Sequence, residues 1–176
     1  MIDIHPYDPS WPIEFERERA RLLLALDPLA LRIEHHGSTA VPGLAAKAVI
    51  DIQISVRELH PMEPYAAPLR AVGYVHVAHD DDRFAPFFHR PAEWPHTHHV
   101  HVVMYDGDEE RRTLAFRDYL RDHFDVARGY EALKRRLAAQ FSSADGDAHD
   151  AYAQAKSHFV AEITSRALTA GYPRMP

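Results

Sequence analysis

A chain of 176 residues with 46% hydrophobic and 26% charged side chains has the length and balance of one folded domain, which excludes disordered, collagen-like and disulfide-scaffold classes. The absence of cysteine excludes thiolate nucleophiles, cysteine zinc fingers and iron–sulfur clusters, leaving histidine, carboxylate and hydroxyl chemistry. A net charge of -6 with basic and acidic residues intermixed excludes a duplex-binding footprint, so nucleic acid is not expected as a partner, and with neither a long apolar run nor a secretory leader pattern the expectation is no membrane and a cytoplasmic location.

The first helix signal is Asp8-Pro9-Ser10-Trp11-Pro12, followed by Phe15, Leu22, Leu23 and Leu26 at helical spacing, which predicts a helix over about residues 10–26. Asp27-Pro28 stops it. Leu29 to His36 alternates as a half-buried strand, and the turn-rich Gly37–Leu44 follows as a loop with room for one helical turn. Val49–Val56 is rich in β-branched residues and reads as a central strand, with Ile50, Ile52, Ile54 and Val56 on one face and Asp51, Gln53 and Ser55 on the other. A short helix over about 63–72 precedes strand candidates at Tyr74–Ala78, Arg83–Phe88 and His98–Met104. Long amphipathic stretches over about 108–122, 126–141 and 147–169 make the last third helical. The expected fold is α+β, a mixed β-sheet flanked by helices with a C-terminal helical segment. It forms a single domain with an α/β part over about 1–106 and a helical part over about 107–176.

Two residue types stand out. The chain carries 14 histidines, and of its 20 basic residues 17 are arginine and three are lysine, Lys47 among them. Where arginine has so often served as the generic cation, a remaining lysine is a candidate for chemistry of its own. On the strand His98–Met104, period two places His99 and His101 on one face, where two imidazoles can share an ion.

The run Glu34-His35-His36-Gly37-Ser38-Thr39-Ala40-Val41-Pro42-Gly43-Leu44-Ala45-Ala46-Lys47-Ala48-Val49-Ile50-Asp51-Ile52 resembles the GrpB family. So do the Tyr7 and Trp11 start, the His98–Val102 strand, Leu114–Leu120, and Tyr130 with Leu133-Lys134. The resemblance implies a nucleotidyltransferase-like fold in which Gly37-Ser38 cradles phosphate and Asp51 holds a divalent metal. Converging backbone N–H groups, a serine hydroxyl and a carboxylate suit those roles. The pattern wants a second carboxylate two residues on, where this chain has Gln53, a neutral and weaker oxygen ligand, and Asp80, Asp81 and Asp82 are read first as a solvated turn.

These readings define a candidate site. Asp51, His99 and His101 are the expected catalytic and metal-ligating residues, with Zn, Mn, Fe or Ni favoured over Mg. His35, Gly37, Ser38, Lys47 and Gln53 are the expected ligand-binding residues. The expected function is binding of a phosphate-bearing small molecule or nucleotide by a metal-dependent transferase or hydrolase. The alternative is a non-catalytic binding or folding-assistance module acting on a partner such as dephospho-CoA kinase, because similar domains occur fused to that enzyme.

Overall fold

The computed structural model describes residues 2–141 and 146–174. Helix α1 (Ser10–Leu26) leads into strand β1 (Ala30–His36). A single 3-10 turn at Ser38–Ala40 separates β1 from β2 (Ile50–Val56), and α2 (Glu63–Ala71) and β3 (Val75–Val77) follow. Strands β4 (Phe87–Arg90) and β5 (His98–Met104) complete a five-stranded sheet of order β1-β2-β5-β4-β3. The β2–β5 pair is parallel and the other neighbours are antiparallel. The strand expected at Arg83–Phe88 instead begins at Phe87, because Asp80–Arg83 coils into a 3-10 turn. In that turn the Asp82 carboxylate is tied to His76 at 3.0 Å.

The period-two reading of the central strand fixes the two faces. Ile50, Ile52, Ile54 and Val56 of β2, with Ile33, Phe88, Val100 and Val102, form the main core against Trp11, Phe15, Leu22 and Leu26 of α1 and Tyr65 and Leu69 of α2. Each such side chain contributes roughly 1.5–3 kcal/mol when fully buried. The opposite face is polar in registered rows. Pairing sets His36, Asp51, His99 and His89 side by side across four strands, with Glu34, Gln53, His101 and Phe87 forming the next row.

Half of that polar face is roofed by α3 (Asp108–Asp122). Glu110, 1% exposed, accepts from the Ser55 hydroxyl, from Arg32 at 3.0 Å and from the Asp106 backbone N–H at 2.6 Å. Arg117 bridges Asp118, Glu34 and the His35 carbonyl, all within 3.0 Å. Every buried charge on α3 thus meets a partner, without which burial would be prohibitive.

Helices α4 (Phe124–Gln140), α5 (Gly146–Ala155) and α6 (Ser157–Thr169) complete the chain. The sequence pattern predicts one helix over 147–169; the chain instead breaks at Lys156 and forms two. Helices α3, α4 and α6 build a small core around Leu120, Ala127, Tyr130 and Ile163, which Val41 and Leu44 of the β1–β2 loop enter. Leu137 and Tyr152 pack on Ile2. The helical third is therefore moored to the loop and the N-terminus, beside the open half of the polar face. Among the described residues no helix is long and apolar enough to cross a membrane.

Candidate functional site

A cleft of about 940 Å³ opens where α3 stops covering the sheet, and Ser38, Lys47, Asp51, His99 and His101 all line it. Its floor is the row containing Asp51 and His99. Parallel pairing puts these two directly opposite, and His99 Nδ1 lies 3.3 Å from Asp51 Oδ1. Burial works against ionisation of Asp51, but the adjoining His99 imidazole and then those of His36 and His101 outweigh it and hold the carboxyl well below the usual range.

The β1–β2 loop seals one side. Gly37 has φ +68°, a region that side chains rarely adopt, and a Cβ there would lie 2.2 Å from Asp51 Oδ2. Only glycine lets the backbone pass this close over the carboxylate. Arg121 of α3 donates to the Ala40 carbonyl at 2.8 Å and Glu131 of α4 accepts from the Ala45 backbone N–H at 3.2 Å, so the loop is latched to the helical third as well as to the sheet.

The opposite wall is aromatic and imidazole-rich. His89 and His96 stack with ring centroids 3.8 Å apart, Trp94 meets His96 edge-on at 4.6 Å, and Phe87 meets His99 at 5.1 Å. His96 Nδ1 lies 3.3 Å from His99 Nε2.

Two of the residues expected to bind ligand lie elsewhere. His35 shares the face of Ile33, stacks on Phe15 at 4.7 Å and bonds Thr39 at 2.9 Å; burial lowers its pKa to about 4. His36, one residue on, faces the cleft side, its ring 5.4 Å from His101. Gln53 sits one pleat deeper than Asp51, wholly buried, and neither carboxamide atom meets a protein partner. An unpartnered buried amide costs roughly 1–3 kcal/mol, so Gln53→Met should stabilise the protein by about 1 kcal/mol and raise its melting temperature by roughly 2–4 °C. Gln53→Glu should lower it by burying a charge; thermal denaturation of the two variants checks both signs.

The expected metal ligands Asp51, His99 and His101 share a face but not a point. Both ring nitrogens of His99 are engaged within the protein, and among the described residues no three His, Asp or Glu side chains surround a common position. Asp81 lines the cleft.

The residues that sequence reasoning missed are Lys134, Lys156 and Tyr152. All three lysines of the chain line this one cleft. Lys47 comes from the loop, Lys134 from α4 and Lys156 from the α5–α6 break. The Lys47 and Lys156 ammonium groups lie 5.5 and 4.3 Å from the Tyr152 ring, while Lys134 donates to the Ala45 carbonyl. Burial and then the charge of Lys156 bring Lys134 down to about 7; burial and then Lys47 bring Lys156 to about 8. The scarcity of lysine was the available signal.

A GTP-bound structure of Cid1 poly(U) polymerase superposes with a TM-score of 0.52 at 14% identity, covering 80% of this chain and 46% of that one. That likeness defines the class as a nucleotidyltransferase-like fold. The crystal structure of GrpB from Enterococcus faecalis matches far more fully, with a TM-score of 0.84, 32% identity, and 96% and 98% of the two chains covered. The GrpB protein family profile matches residues 1–166, and a UPF0157 protein of Pseudomonas aeruginosa is 39% identical over 96% of this chain and 69% of its own. The chain belongs to the GrpB family. A dephospho-CoA kinase of Mycolicibacterium paratuberculosis is 32% identical over 94% of this chain, which spans 46% of that protein.

Proposed function

We propose that the cleft binds a phosphate-bearing small molecule or nucleotide, and that the protein is a transferase or hydrolase acting on that phosphate. The observation that carries this reading is the convergence of all three lysines, in a chain of 17 arginines, on one cleft together with Ser38 and Asp51. Burial first, and then mutual repulsion, depresses Lys134 and Lys156, so the three ammonium groups form a site that an incoming polyanion relieves. Ammonium groups serve as compact point charges here, where arginine forks would impose planar geometry.

The test is the melting temperature of the protein with tripolyphosphate and with ATP, since a ligand held only by the folded state raises it. Both should stabilise the wild type. Lys47→Ala should remove at least tenfold of the affinity with little change in the ligand-free melting temperature, and Lys47→Arg should restore it only in part. Equal affinity in Lys47→Ala refutes the reading.

The match to a dephospho-CoA kinase favours one second reading, assistance to such an enzyme. Under it, adding the chain should raise the refolding yield of a dephospho-CoA kinase, and Lys47→Ala should leave that effect intact.

A further inference from the structure

An ammonium differs from a guanidinium in more than shape: it can shed its proton and become a nucleophile, which arginine does not do in a protein. The two cations are distributed in this chain along that difference. Arginines pair with carboxylates across the molecule, Arg21 with Glu18, Arg32 with Glu110 and Arg117 with Asp118 among them. The three lysines all line one cleft, and among the described residues none of them has a carboxylate partner.

Their surroundings separate the three. Lys134 is 2% exposed and its nitrogen is tied to the Ala45 carbonyl. Lys47 and Lys156 are half-buried, and among the described residues neither ammonium has a hydrogen-bond acceptor. What lies beside both is the ring of Tyr152, at 5.5 and 4.3 Å, itself 1% exposed and fixed in the small core with Ile2 and Leu137. Lys156 stands at the break between α5 and α6, so its side chain leaves a turn and enters the cleft next to Lys47.

We propose that Lys156 is the nucleophile of a second chemistry in this cleft, capturing the carbonyl carbon of a short phosphate-bearing aldehyde as an imine while Lys47 carries the phosphate. The proposal rests on the phosphate-binding part of the reading above and names the substrate class. Burial and then the charge of Lys47 bring Lys156 to about 8, with Asp51 acting the other way. Near that pH about half of Lys156 is the free amine, against roughly three parts per thousand for an ordinary lysine. A lysine desolvated beside another cation is the usual form of an imine-forming amine.

The step balances without redox change or a further reactant. Nζ gives its lone pair to the carbonyl carbon, the π pair of the C–O bond moves to oxygen, and the carbinolamine hydroxyl leaves as water with one proton taken from the nitrogen. The C=N bond remains. On protonation from solvent it restores the positive charge of the ammonium it replaced.

The test uses the full chain with glyceraldehyde 3-phosphate, and with glyceraldehyde as the phosphate-free control. Cyanoborohydride reduces any imine to a stable secondary amine, which peptide mass mapping then locates. With only three lysines in the chain, the map has three side chains and the α-amino group to distinguish. The α-amino group, ordinarily at about 7.7–8.0, is an unassisted amine of the same basicity and serves as the internal reference. Lys156 should be alkylated about tenfold faster than that group, or more, because the held phosphate brings the aldehyde to it. Tripolyphosphate should slow the labelling of Lys156 about tenfold, and glyceraldehyde should label the two amines alike. Lys156→Arg should abolish the adduct without moving it to Lys47, and the wild-type comparisons decide the matter even if this variant fails to fold. Label that is no faster at Lys156 than at the α-amino group, that prefers Lys47 or Lys134, or that is indifferent to loss of the phosphate overturns the proposal. If tripolyphosphate stabilises the protein while Lys156 stays unlabelled, the imine alone has failed. If tripolyphosphate neither stabilises nor protects, the phosphate reading has failed with it.

Discussion

Gly37→Ala should unfold or severely destabilise the protein, by roughly 3 kcal/mol or more, although it adds a single methyl group. Two effects combine. The backbone at φ +68° is strained for any L side chain, and the new Cβ would sit 2.2 Å from Asp51 Oδ2. Relief by moving Asp51 opens its 3.3 Å approach to His99. The contrast is Gly43, also at positive φ (+79°) but with nothing within 4 Å of a built Cβ. Gly43→Ala carries the strain without the collision and should lose only about 1–2 kcal/mol. Urea denaturation of the two variants measures the difference; equal losses would show that the carboxylate contact is immaterial.

The second large effect is expected at Lys134, which is 2% exposed and brought from 10.5 to about 7. The unfolded chain keeps this proton up to about 10.5, while the folded chain releases it near 7. Between those values the unfolded state binds more protons, and stability rises with pH. Below about 7 the burden of the buried charge is present in full. Lys134→Met removes an opposition worth several kcal/mol and loses one hydrogen bond to the Ala45 carbonyl, worth about 1–3 kcal/mol with the carbonyl left unpaired. Relief of the buried charge outweighs the lost hydrogen bond. The variant should melt higher than wild type at pH 6 and show a flattened rise toward pH 10, yet bind tripolyphosphate at least tenfold more weakly. Binding by the wild type near pH 8 should take up protons as the anion recharges Lys134, which calorimetry in buffers of different ionisation enthalpy reads directly. A variant melting below wild type at pH 6 would refute this account of the site.

Much of the architecture was legible because it rests on local periodicity. The β-branched run at Val49–Val56 fixed a central strand and its two faces, and the His98–Met104 strand matches its expected bounds. Sequence and structure part where a local cue competes with a longer pattern. The motif points to His35 in place of His36, although extending the alternation of Leu31 and Ile33 against Arg32 and Glu34 puts His35 on the apolar face and His36 on the polar one. The Lys156 break is hidden because Tyr152 and Phe159 keep an apolar stripe on both sides of it. Lys134 and Lys156 escape the candidate site because their place is set by how the helical third docks on the β1–β2 loop, a tertiary relation without a sequence period. His96 lies in a Pro-bounded segment where alternation gives no face.

The registered row of His36, Asp51, His99 and His89 constrains how this chain can vary in length. Strand β5 is fixed on its far side by Val100 and Val102, both 0% exposed in the apolar core. A single residue gained or lost within β5 itself, in place of the loop before it, would exchange the two sets. His99 and His101 would then face leucine and phenylalanine, and valines would line the cleft. Relatives of differing length should therefore place their insertions and deletions in 91–97 or in the α5–α6 region, leaving Asp51-Ile52-Gln53 and His99-Val100-His101 as an ungapped frame.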